Sequence, residues 1–451
     1  MNIAMVHFRV GELDGVSLEM DKWRKVLESQ FNHKVIYLAG TLGRSDGCEI
    51  PELSLSYPPA VQIKEKAFSR SLDEEQEEIL ELEIQSEKDL IKIKLKKFIQ
   101  ENEINCFIPN NIFCYPLNLP ASIALAEVIS EKKISTINHN HDFFWERTIY
   151  KPSCQLIKKY LEKYFPPNFE NFQQVVINSS AKKNLKERNG YDSTYVPNVF
   201  YFEDPDWKKD SFNADLRKPL NINKNDIIML QATRIVERKG IELIIDLIAE
   251  LNKIENKEKL TTSPLYDGRE FKKNNEIILI MPNLIEDFEY KTRLEIKCKE
   301  LNVKYLFCNE FFAHQRSEND NESKIYSLWD SYTQADIISY PSLQEGWGNQ
   351  FLEAVKARLP IVLFEYEVYK EDIGPMGFQT ISLGSEYKQT KKLGLATISN
   401  EKIKSAAQET IKMLLNKEER EKIINKNYQI GKQKFSITAL GEYLKPLVLK
   451  I

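Results

Sequence analysis

Residues 341–354 read Pro-Ser-Leu-Gln-Glu-Gly-Trp-Gly-Asn-Gln-Phe-Leu-Glu-Ala and directly follow the apolar run Ile337–Tyr340. The run predicts a buried strand, and the residues after the second glycine predict a helix. A strand that enters a helix through a glycine-containing turn offers backbone N–H groups to an anion. Gly346 and Gly348 let the backbone approach such a ligand closely. The stretch therefore predicts an α/β fold with an anion-binding turn.

Two carboxylates accompany this turn. Glu345 lies in the turn itself, and Glu353 lies about two turns into the helix, so they can face one bound molecule at different points. Carboxylates accept hydrogen bonds from the hydroxyls of a sugar or a ribose, whereas backbone amides and the helix dipole suit phosphates. A nucleotide sugar combines these groups. An ordinary strand–helix turn with two surface glutamates is the alternative interpretation.

A basic turn occurs earlier, where residues 231–240 read Gln-Ala-Thr-Arg-Ile-Val-Glu-Arg-Lys-Gly. It too follows a predicted strand and opens a helix. Arg234 and Lys239 are predicted to reach one diphosphate, where cations stabilise the negative charge of a departing nucleoside diphosphate. The alternative interpretation is a solvated basic turn.

Apolar runs and helical stretches alternate along the whole chain, which predicts parallel sheets with right-handed crossovers. The pattern occurs once in each half, so each half predicts its own doubly wound domain. The predicted strands are Asn2–His7, Lys34–Leu38, Asn105–Pro109, Ser135–Asn138, Gln174–Ile177, Asp226–Gln231, Glu276–Met281, Lys304–Phe307, Ile337–Tyr340 and Ile361–Phe364. The predicted helices are Ser17–Ser29, Leu117–Ser130, Ser180–Arg188, Gly240–Leu251, Tyr290–Leu301, Lys324–Thr333 and Asn349–Ala357.

Three segments follow from this division: an N-terminal domain over 1–205, a C-terminal domain over 206–428 and a helical segment over 429–451 that crosses back to the first domain. The polar stretch between Pro197 and Pro219 suits the linker. Leu72–Asn102 predicts a long charged helix that is solvated on one face. Lys257–Asn275 predicts a mobile polar loop.

The composition excludes several classes of protein. In 451 residues, 63 Lys and Arg nearly balance 67 Asp and Glu, which argues against a protein held mainly by nucleic-acid phosphates. There is no run of 18 apolar residues and no signal-peptide pattern at the start. The six scattered cysteines predict reduced thiols of a cytoplasmic protein.

Arg234–Gly240 together with Glu345 and Glu353, eight positions apart, resembles the signature of family 4 retaining glycosyltransferases. The resemblance implies the GT-B fold: two Rossmann-like domains that face each other across a cleft, with the donor bound mainly by the second. It implies retention of anomeric configuration by front-face displacement, with the leaving phosphate as base. It implies a nucleotide-sugar donor and a sugar-containing acceptor, with no metal or other cofactor.

The same resemblance implies roles for individual residues. Glu345 would contact the transferred sugar and Glu353 the ribose, while Arg234 and Lys239 would hold the diphosphate. Gly346, Trp347, Gly348 and Asn349 would present the donor-binding backbone. Arg238 departs from many relatives, which have a non-basic residue there, and either adds phosphate affinity or faces water.

Two further elements of the first half resemble the family. Residues 8–17 resemble its glycine loop, which places Gly11 on the acceptor side and Gly15 near the donor phosphates. Residues 138–147 resemble its His-Asp element, which places His141 beside the reactive face of the sugar and Asp142 on the acceptor side. His139 is the alternative to His141, and satisfied histidines at a strand end are the interpretation without a function.

Residues 116–120 and 141–147 resemble a narrower group, the mannosylglucosylglycerate synthases. That resemblance implies a small sugar acceptor, either neutral or anionic, and GDP-mannose or UDP-glucose as donor. The alternatives are an epimerase of the same fold and a catalytically degenerate nucleotide-sugar sensor. His139-x-His141-Asp142 as a metal-hydrolase site lacks further ligands, and Asp204-Pro-Asp206 lies in the predicted linker, so neither predicts a metal site.

Overall fold

The computed structural model describes residues 1–12, 15–318 and 323–451, and the chain divides into two compact units. The first unit comprises Met1–Val199 and Ile437–Ile451. The second unit comprises Phe200–Ser436.

The first unit contains a seven-stranded parallel sheet. Its strands are β1 (Asn2–Arg9), β2 (Lys34–Thr41), β3 (Cys48–Glu49), β4 (Cys106–Pro109), β5 (Ser135–Asn140), β6 (Phe172–Val176) and β7 (Ser193–Tyr195). Their order is β3-β2-β1-β4-β5-β6-β7, and every neighbouring pair is parallel. The order reverses between β1 and β4. In open α/β sheets the carboxyl ends of the strands at such a reversal flank the ligand-binding crevice.

In the part of the first unit that the structure describes, six α-helices precede the last strand. They are α1 (Gly15–Ser29), α2 (Pro58–Phe68), α3 (Glu74–Asn102), α4 (Leu119–Lys132), α5 (Gln155–Tyr164) and α6 (Ser179–Asn189). Polar residues fix where these helices begin: the Asn118 amide oxygen accepts from Ala121 N at 3.1 Å, and Asp73 and Gln76 form a capping box at α3. The helices bury apolar faces such as Ile123, Leu125 and Val128 of α4 in the core.

The second unit is built on a six-stranded parallel sheet of order β10-β9-β8-β14-β15-β16. The unit's strands are β8 (Ile227–Leu230), β9 (Ile277–Met281), β10 (Lys304–Phe307), β11 (Phe312–Ala313), β12 (Ser317–Glu318), β13 (Lys324–Ser327), β14 (Ile337–Tyr340), β15 (Ile361–Leu363), β16 (Ile381–Ser382), β17 (Lys388–Gln389) and β18 (Ala396–Thr397). Its helices are α7 (Glu242–Leu251), α8 (Ile254–Leu260), α9 (Phe288–Glu300), α10 (Leu328–Gln334), α11 (Asn349–Lys356), α12 (Asn400–Leu415) and α13 (Lys417–Phe435). The strand order reverses between β8 and β14, so this unit has the same kind of crevice.

The predicted strands of both sheets are confirmed, but two sequence predictions in the second unit are wrong. Lys324–Thr333 is not one helix: Lys324–Ser327 is β13, and α10 begins only at Leu328 after the Ser327–Asp330 capping box. Lys257–Asn275 is not a loop free of the core. It includes the end of α8, and Leu260, Leu265 and Phe271 are buried in the apolar core.

The division of the chain also differs from the predicted boundaries at 205 and 428. Helix α13 is continuous across 428 and belongs to the second unit. Its Gly431 packs so closely that an added Cβ would lie 2.6 Å from Phe202 Cζ and 2.8 Å from Val355 Cγ1. The chain then returns to the first unit as α14 (Ile437–Val448), where Gln173 Nε2 donates to Leu447 O at 3.1 Å.

Candidate functional site

The two motifs of the second unit form one site at the carboxyl ends of β8 and β14, which are adjacent parallel strands. The loops that follow the strands contact each other directly, because Leu343 N donates to Arg238 O at 2.9 Å. Gly240 has a φ of +58°, and a Cβ there would lie 2.5 Å from Pro341 O. Close backbone packing thus brings the basic turn and the glutamate turn together.

Glu345 is the centre of this site. Its side chain is 9% exposed; one carboxylate oxygen pairs with Lys239 Nζ, and the other accepts from Arg238 Nη1 at 2.9 Å. Burial alone would raise the pKa of Glu345, but the Lys239 ammonium and the Arg238 guanidinium outweigh it and lower the pKa to about 2. Glu345 is therefore an ionised hydrogen-bond acceptor near neutral pH.

Lys239 is buried more deeply than any other cation at this site, with a 4% exposed side chain. Burial lowers the pKa of Lys239, the Glu345 carboxylate opposes that effect, and Arg238 adds to it. Two cations and one carboxylate leave this cluster with one net positive charge. The arrangement therefore attracts a further anion at the end of β8.

Arg234 pairs with a different carboxylate, although its charge also contributes to the lowered pKa of Lys239. Its side chain is half exposed and pairs with Glu286, which follows β9. The sequence predicted that Arg234 and Lys239 act together on one diphosphate. In the structure, Arg238 is the residue that joins Lys239 at Glu345. In the sequence, Arg238 stood out only as a departure from relatives. Its position next to Lys239 was the only signal of a contact with Glu345.

The glycine turn leads into α11 through backbone that only glycine accommodates. Gly348 has a φ of +137°, and an added Cβ would collide with the Tyr366 hydroxyl, which donates to Trp347 O at 2.8 Å. Gly348 is also the N-cap of α11 and has no side chain with which to cap it. The first turn of α11, which starts at Asn349, thus suits an external anion such as a phosphate. Gly346 precedes this turn, and the Trp347 ring is buried edge-on to Phe435 at 5.4 Å between centroids.

Glu353 lies on α11 beside an aromatic group. The Tyr332 hydroxyl donates to Glu353 Oε2 at 2.7 Å, and both side chains are buried. Burial and the Glu353 carboxylate raise the pKa of Tyr332 well above its ordinary value, so the hydroxyl remains a donor. Tyr332 therefore orients a carboxylate that suits vicinal hydroxyls. No sequence pattern predicted a role for Tyr332, because its position on α10 is typical of a core residue.

We expect Glu353→Ala to raise the KM for the donor about 10- to 100-fold while kcat changes little, because one charged hydrogen-bond acceptor is lost from both the bound and the transition state. Steady-state kinetics with varied donor measures both constants. Tyr332→Phe is the matched comparison, since it keeps the carboxylate and removes only its orienting donor; a smaller rise in KM is expected. A fall in kcat at constant KM for Glu353→Ala would contradict the ribose role.

His139 and His141 of the first unit lie at the carboxyl end of β5. His139 is fully buried: its ring stacks on Trp23 with 4.2 Å between centroids, and Nδ1 lies 3.0 Å from Asn110 Oδ1. Burial, with a contribution from His141, lowers the pKa of His139 well below its ordinary value, so the ring is neutral. His141 lies one residue beyond the strand, and its backbone N donates to Asn111 Oδ1 at 2.9 Å. Of the two histidines, His139 is the more deeply buried, so it fits a structural role better than His141 does.

The glycine loop of the first unit follows β1. Gly11 has a φ of +80°, and a Cβ there would lie 2.8 Å from Arg44 N, so the position requires glycine. Gly15 is the first residue of α1 and is exposed, and Asp142 is half-buried after His141. Leu13 and Asp14 of the predicted loop lie outside the described residues. The functional roles of these loop residues stay predictions.

The remaining candidates have ordinary structural partners. Asp206 lies 3.7 Å from both Lys356 Nζ and Arg358 Nε, and the backbone oxygen of Asp204 accepts from Lys356 Nζ. In residues 1–12, 15–318 and 323–451, no group of three or more His, Cys, Asp or Glu side chains could hold a metal ion. Within the same ranges no helix is both long enough and apolar enough to span a bilayer.

Comparison with known proteins places this geometry in a family. No family model matches the chain. A mannosylglucosylglycerate synthase from Petrotoga mobilis is 37% identical over 436 residues, covering 96% of this chain and 98% of the relative. The enzyme of that name from Thermotoga maritima is 34% identical over 453 residues, covering all of both. The chain belongs to the mannosylglucosylglycerate synthase family. The predicted resemblance of the chain to this group is thereby confirmed.

Similarity to solved structures shows the fold of this member of the mannosylglucosylglycerate synthase family. A glycosyltransferase from Rickettsia africae matches 100% of this chain and 97% of its own with a TM-score of 0.58 at 13% identity. A sucrose-phosphate synthase from Thermosynechococcus elongatus matches 100% and 98% with a TM-score of 0.58 at 12% identity. The fold is GT-B, and together with the family this makes the chain a glycosyltransferase.

Proposed function

We propose that the chain transfers a mannosyl unit from GDP-mannose to glucosylglycerate, with retention of anomeric configuration and without a metal ion. The observation that carries the proposal is full-length similarity to two mannosylglucosylglycerate synthases, combined with the buried Glu345–Lys239–Arg238 cluster. The product name of those relatives has mannose as its outer unit. That favours GDP-mannose over UDP-glucose as the donor.

In the proposed reaction the bond between the anomeric carbon of mannose and the diphosphate oxygen breaks, and its electron pair leaves with GDP. A hydroxyl oxygen of the acceptor forms the new bond to the same face of that carbon, and its proton passes to the leaving phosphate. Lys239 and Arg238 neutralise charge that grows on the diphosphate, and Arg234 reaches it from the start of the same loop. The amides of residues 346–349 add donors.

Glu345 and Glu353 orient the donor in this proposal. Glu345 is ionised and held by two cations, so it accepts hydrogen bonds from mannose hydroxyls without serving as the attacking nucleophile. Glu353, fixed by Tyr332, accepts from the ribose hydroxyls. By the family resemblance, His141 would act at the reactive face of the sugar, Gly15 at the donor phosphates, and Gly11 and Asp142 at the acceptor. The chain would act in the cytoplasm, which suits six cysteines that are all free thiols.

A thermal-shift screen of the purified protein with GDP, UDP, ADP, GDP-mannose and UDP-glucose tests the donor. A ligand at 100 times its Kd stabilises by about 2.7 kcal/mol, which raises the Tm of a chain of this size by a few degrees. We expect the guanine nucleotides to give the shift. A shift with UDP alone would move the donor to UDP-glucose, and no shift with any of them would overturn the donor site.

Turnover of GDP-mannose with glucosylglycerate, in EDTA, tests the acceptor and the metal independence together. The neutral analogue glucosylglycerol is the matched control for the glycerate carboxylate, and NMR of the product reports the anomeric configuration. A new sugar nucleotide formed without acceptor would identify an epimerase instead. Binding of GDP-mannose without any turnover would identify a sensor.

A further inference from the structure

Helix α3 has two apolar faces, although its composition predicts one. One face buries Leu80, Ile84, Ile91 and Leu95 in the core of the first unit. On the other side Ile79, Leu82, Leu90 and Ile93 are exposed, with Leu82 at 71% and Ile93 at 68%.

These exposed residues form a stripe rather than a scatter. At 100° per residue, Ile79, Leu82, Ser86, Leu90 and Ile93 fall within an arc of about 80°, centred roughly 150° from the buried face. Single exposed leucines are normal on protein surfaces, but a continuous apolar stripe marks an interaction site. We call these five residues the α3 stripe.

The α3 stripe is symmetric about its own centre. Ser86 lies in the middle of the arc; Leu82 and Leu90 are each four residues from it, and Ile79 and Ile93 are each seven residues from it. In an antiparallel pair of identical helices related by a twofold axis at Ser86, Leu82 lies level with Leu90, and Ile79 lies level with Ile93. A stripe of this kind complements itself, as an isologous interface requires.

The charges of α3 have the matching antisymmetry. Residues 74–87 contain seven glutamates and no basic residue, whereas residues 88–102 contain five lysines against one aspartate and one glutamate. Lys88, Lys92, Lys94 and Lys96 already pair with Glu52, Glu127 and Glu131 of the first unit, so Lys97 is the lysine of this half that faces a partner along the stripe. An antiparallel partner places this basic end against the acidic end. Glu75 and Lys97 are each eleven residues from Ser86, are both exposed, and would lie level at each end of the stripe.

We propose that the α3 stripe is the core of a homodimer interface in which two copies of α3 pack antiparallel about a twofold axis at Ser86. The occupant is a second copy of this chain, because hydrophobic pattern and charge both complement themselves in this one register. A bilayer surface with anionic lipids is disfavoured by carboxylates at the stripe, since Glu75 falls within its arc and Glu83 and Asp89 lie about 60° from its centre. The helix is 29 residues long, roughly 43 Å, which allows a contact of substantial length.

Sedimentation equilibrium of the full chain, with Leu82→Glu as the first variant, tests the surface. The wild-type protein should be dimeric at micromolar concentration, and the variant should dissociate with a Kd raised roughly 100-fold, because each dimer contains the change twice. The kcat of Leu82→Glu and its circular dichroism should stay at wild-type values, since the buried face of α3 is unchanged.

A charge exchange tests the register. Lys97→Glu should weaken the dimer about tenfold by opposing Glu75, and Glu75→Lys with Lys97→Glu in one chain should restore it. Ser86→Cys should form an intermolecular disulfide on mild oxidation, because the residue meets its own copy at the axis. Glu81→Cys, exposed on the same helix about 140° from the stripe centre, is the matched control and should cross-link little.

A monomer at every concentration would overturn the proposal, as would a dimer that Leu82→Glu leaves intact. A monomeric wild-type protein that loses binding to anionic vesicles on Leu82→Glu would assign the stripe to a membrane instead. Failure of the charge exchange to restore the dimer would overturn the antiparallel register.

Discussion

Glu345→Gln is expected to lower kcat by roughly 100-fold or more, the scale of losing one preorganised electrostatic group at a reacting centre. Glutamine keeps the size of the side chain but removes the charge that orients the transferred sugar and holds Lys239 and Arg238 in place. Steady-state kinetics with saturating donor and acceptor measures the effect. Glu421→Gln, at an exposed position of α13, is the control and should keep wild-type turnover. Near-normal turnover of Glu345→Gln would remove Glu345 from the site.

The same variant should also be less stable than the wild type. Without the carboxylate, the buried Lys239 ammonium loses its partner, and breaking a buried ion pair on one side costs about 3–5 kcal/mol. The Tm of Glu345→Gln should therefore fall. The nucleoside diphosphate brings a new anion to the same cations, so its stabilising shift should be larger in the variant than in the wild type. Equal shifts in both proteins would mean that the diphosphate does not contact this cluster.

Lys239→Ala is the second large effect, with kcat expected to fall roughly 100-fold or more because the leaving diphosphate loses its buried cation. Arg238→Ala is the matched comparison. Arg238 is 39% exposed and binds the other oxygen of Glu345, so solvent screens its charge more and the loss should be about tenfold. Single-turnover kinetics isolates the chemical step for both variants. A larger loss for Arg238→Ala would make Arg238 the principal cation at the leaving group.

The sequence could predict the fold because most strands of both sheets are short apolar runs between helical stretches. It missed the edge strands β3, β7 and β16, which are two or three residues long and partly polar. The family resemblance implied that the two motifs serve one donor, and the pairing of β8 with β14 in the structure brings their turns together. The sequence could not predict which cation faces Glu345. Loop packing, such as the hydrogen bond from Leu343 N to Arg238 O, decides which of the side chains of Arg234, Arg238 and Lys239 faces Glu345.

Other misses have the same origin in tertiary contact. In the sequence, Tyr332, Tyr340 and Tyr366 all look like core aromatics. The hydroxyls of two of them nevertheless form hydrogen bonds at the site: Tyr332 donates to Glu353, and Tyr366 donates to Trp347 O. Lys324–Ser327 has the composition of a helix start but pairs with β11 and β12. The polar stretch Lys257–Asn275 contains three buried apolar residues, which are too widely spaced in the sequence to give the periodicity of a helix or a strand.

The return of α14 to the first unit matters for anyone who recombines halves of these enzymes. The chain passes from one unit to the other twice, after Val199 and again after Ser436. A chimera joined only at residue 199 would therefore graft a first unit whose last helix comes from another parent, with Leu440 and Leu444 buried against foreign neighbours. Exchanging both segments together, or permuting the chain so that it begins at Phe200, would keep each unit in one parent's sequence.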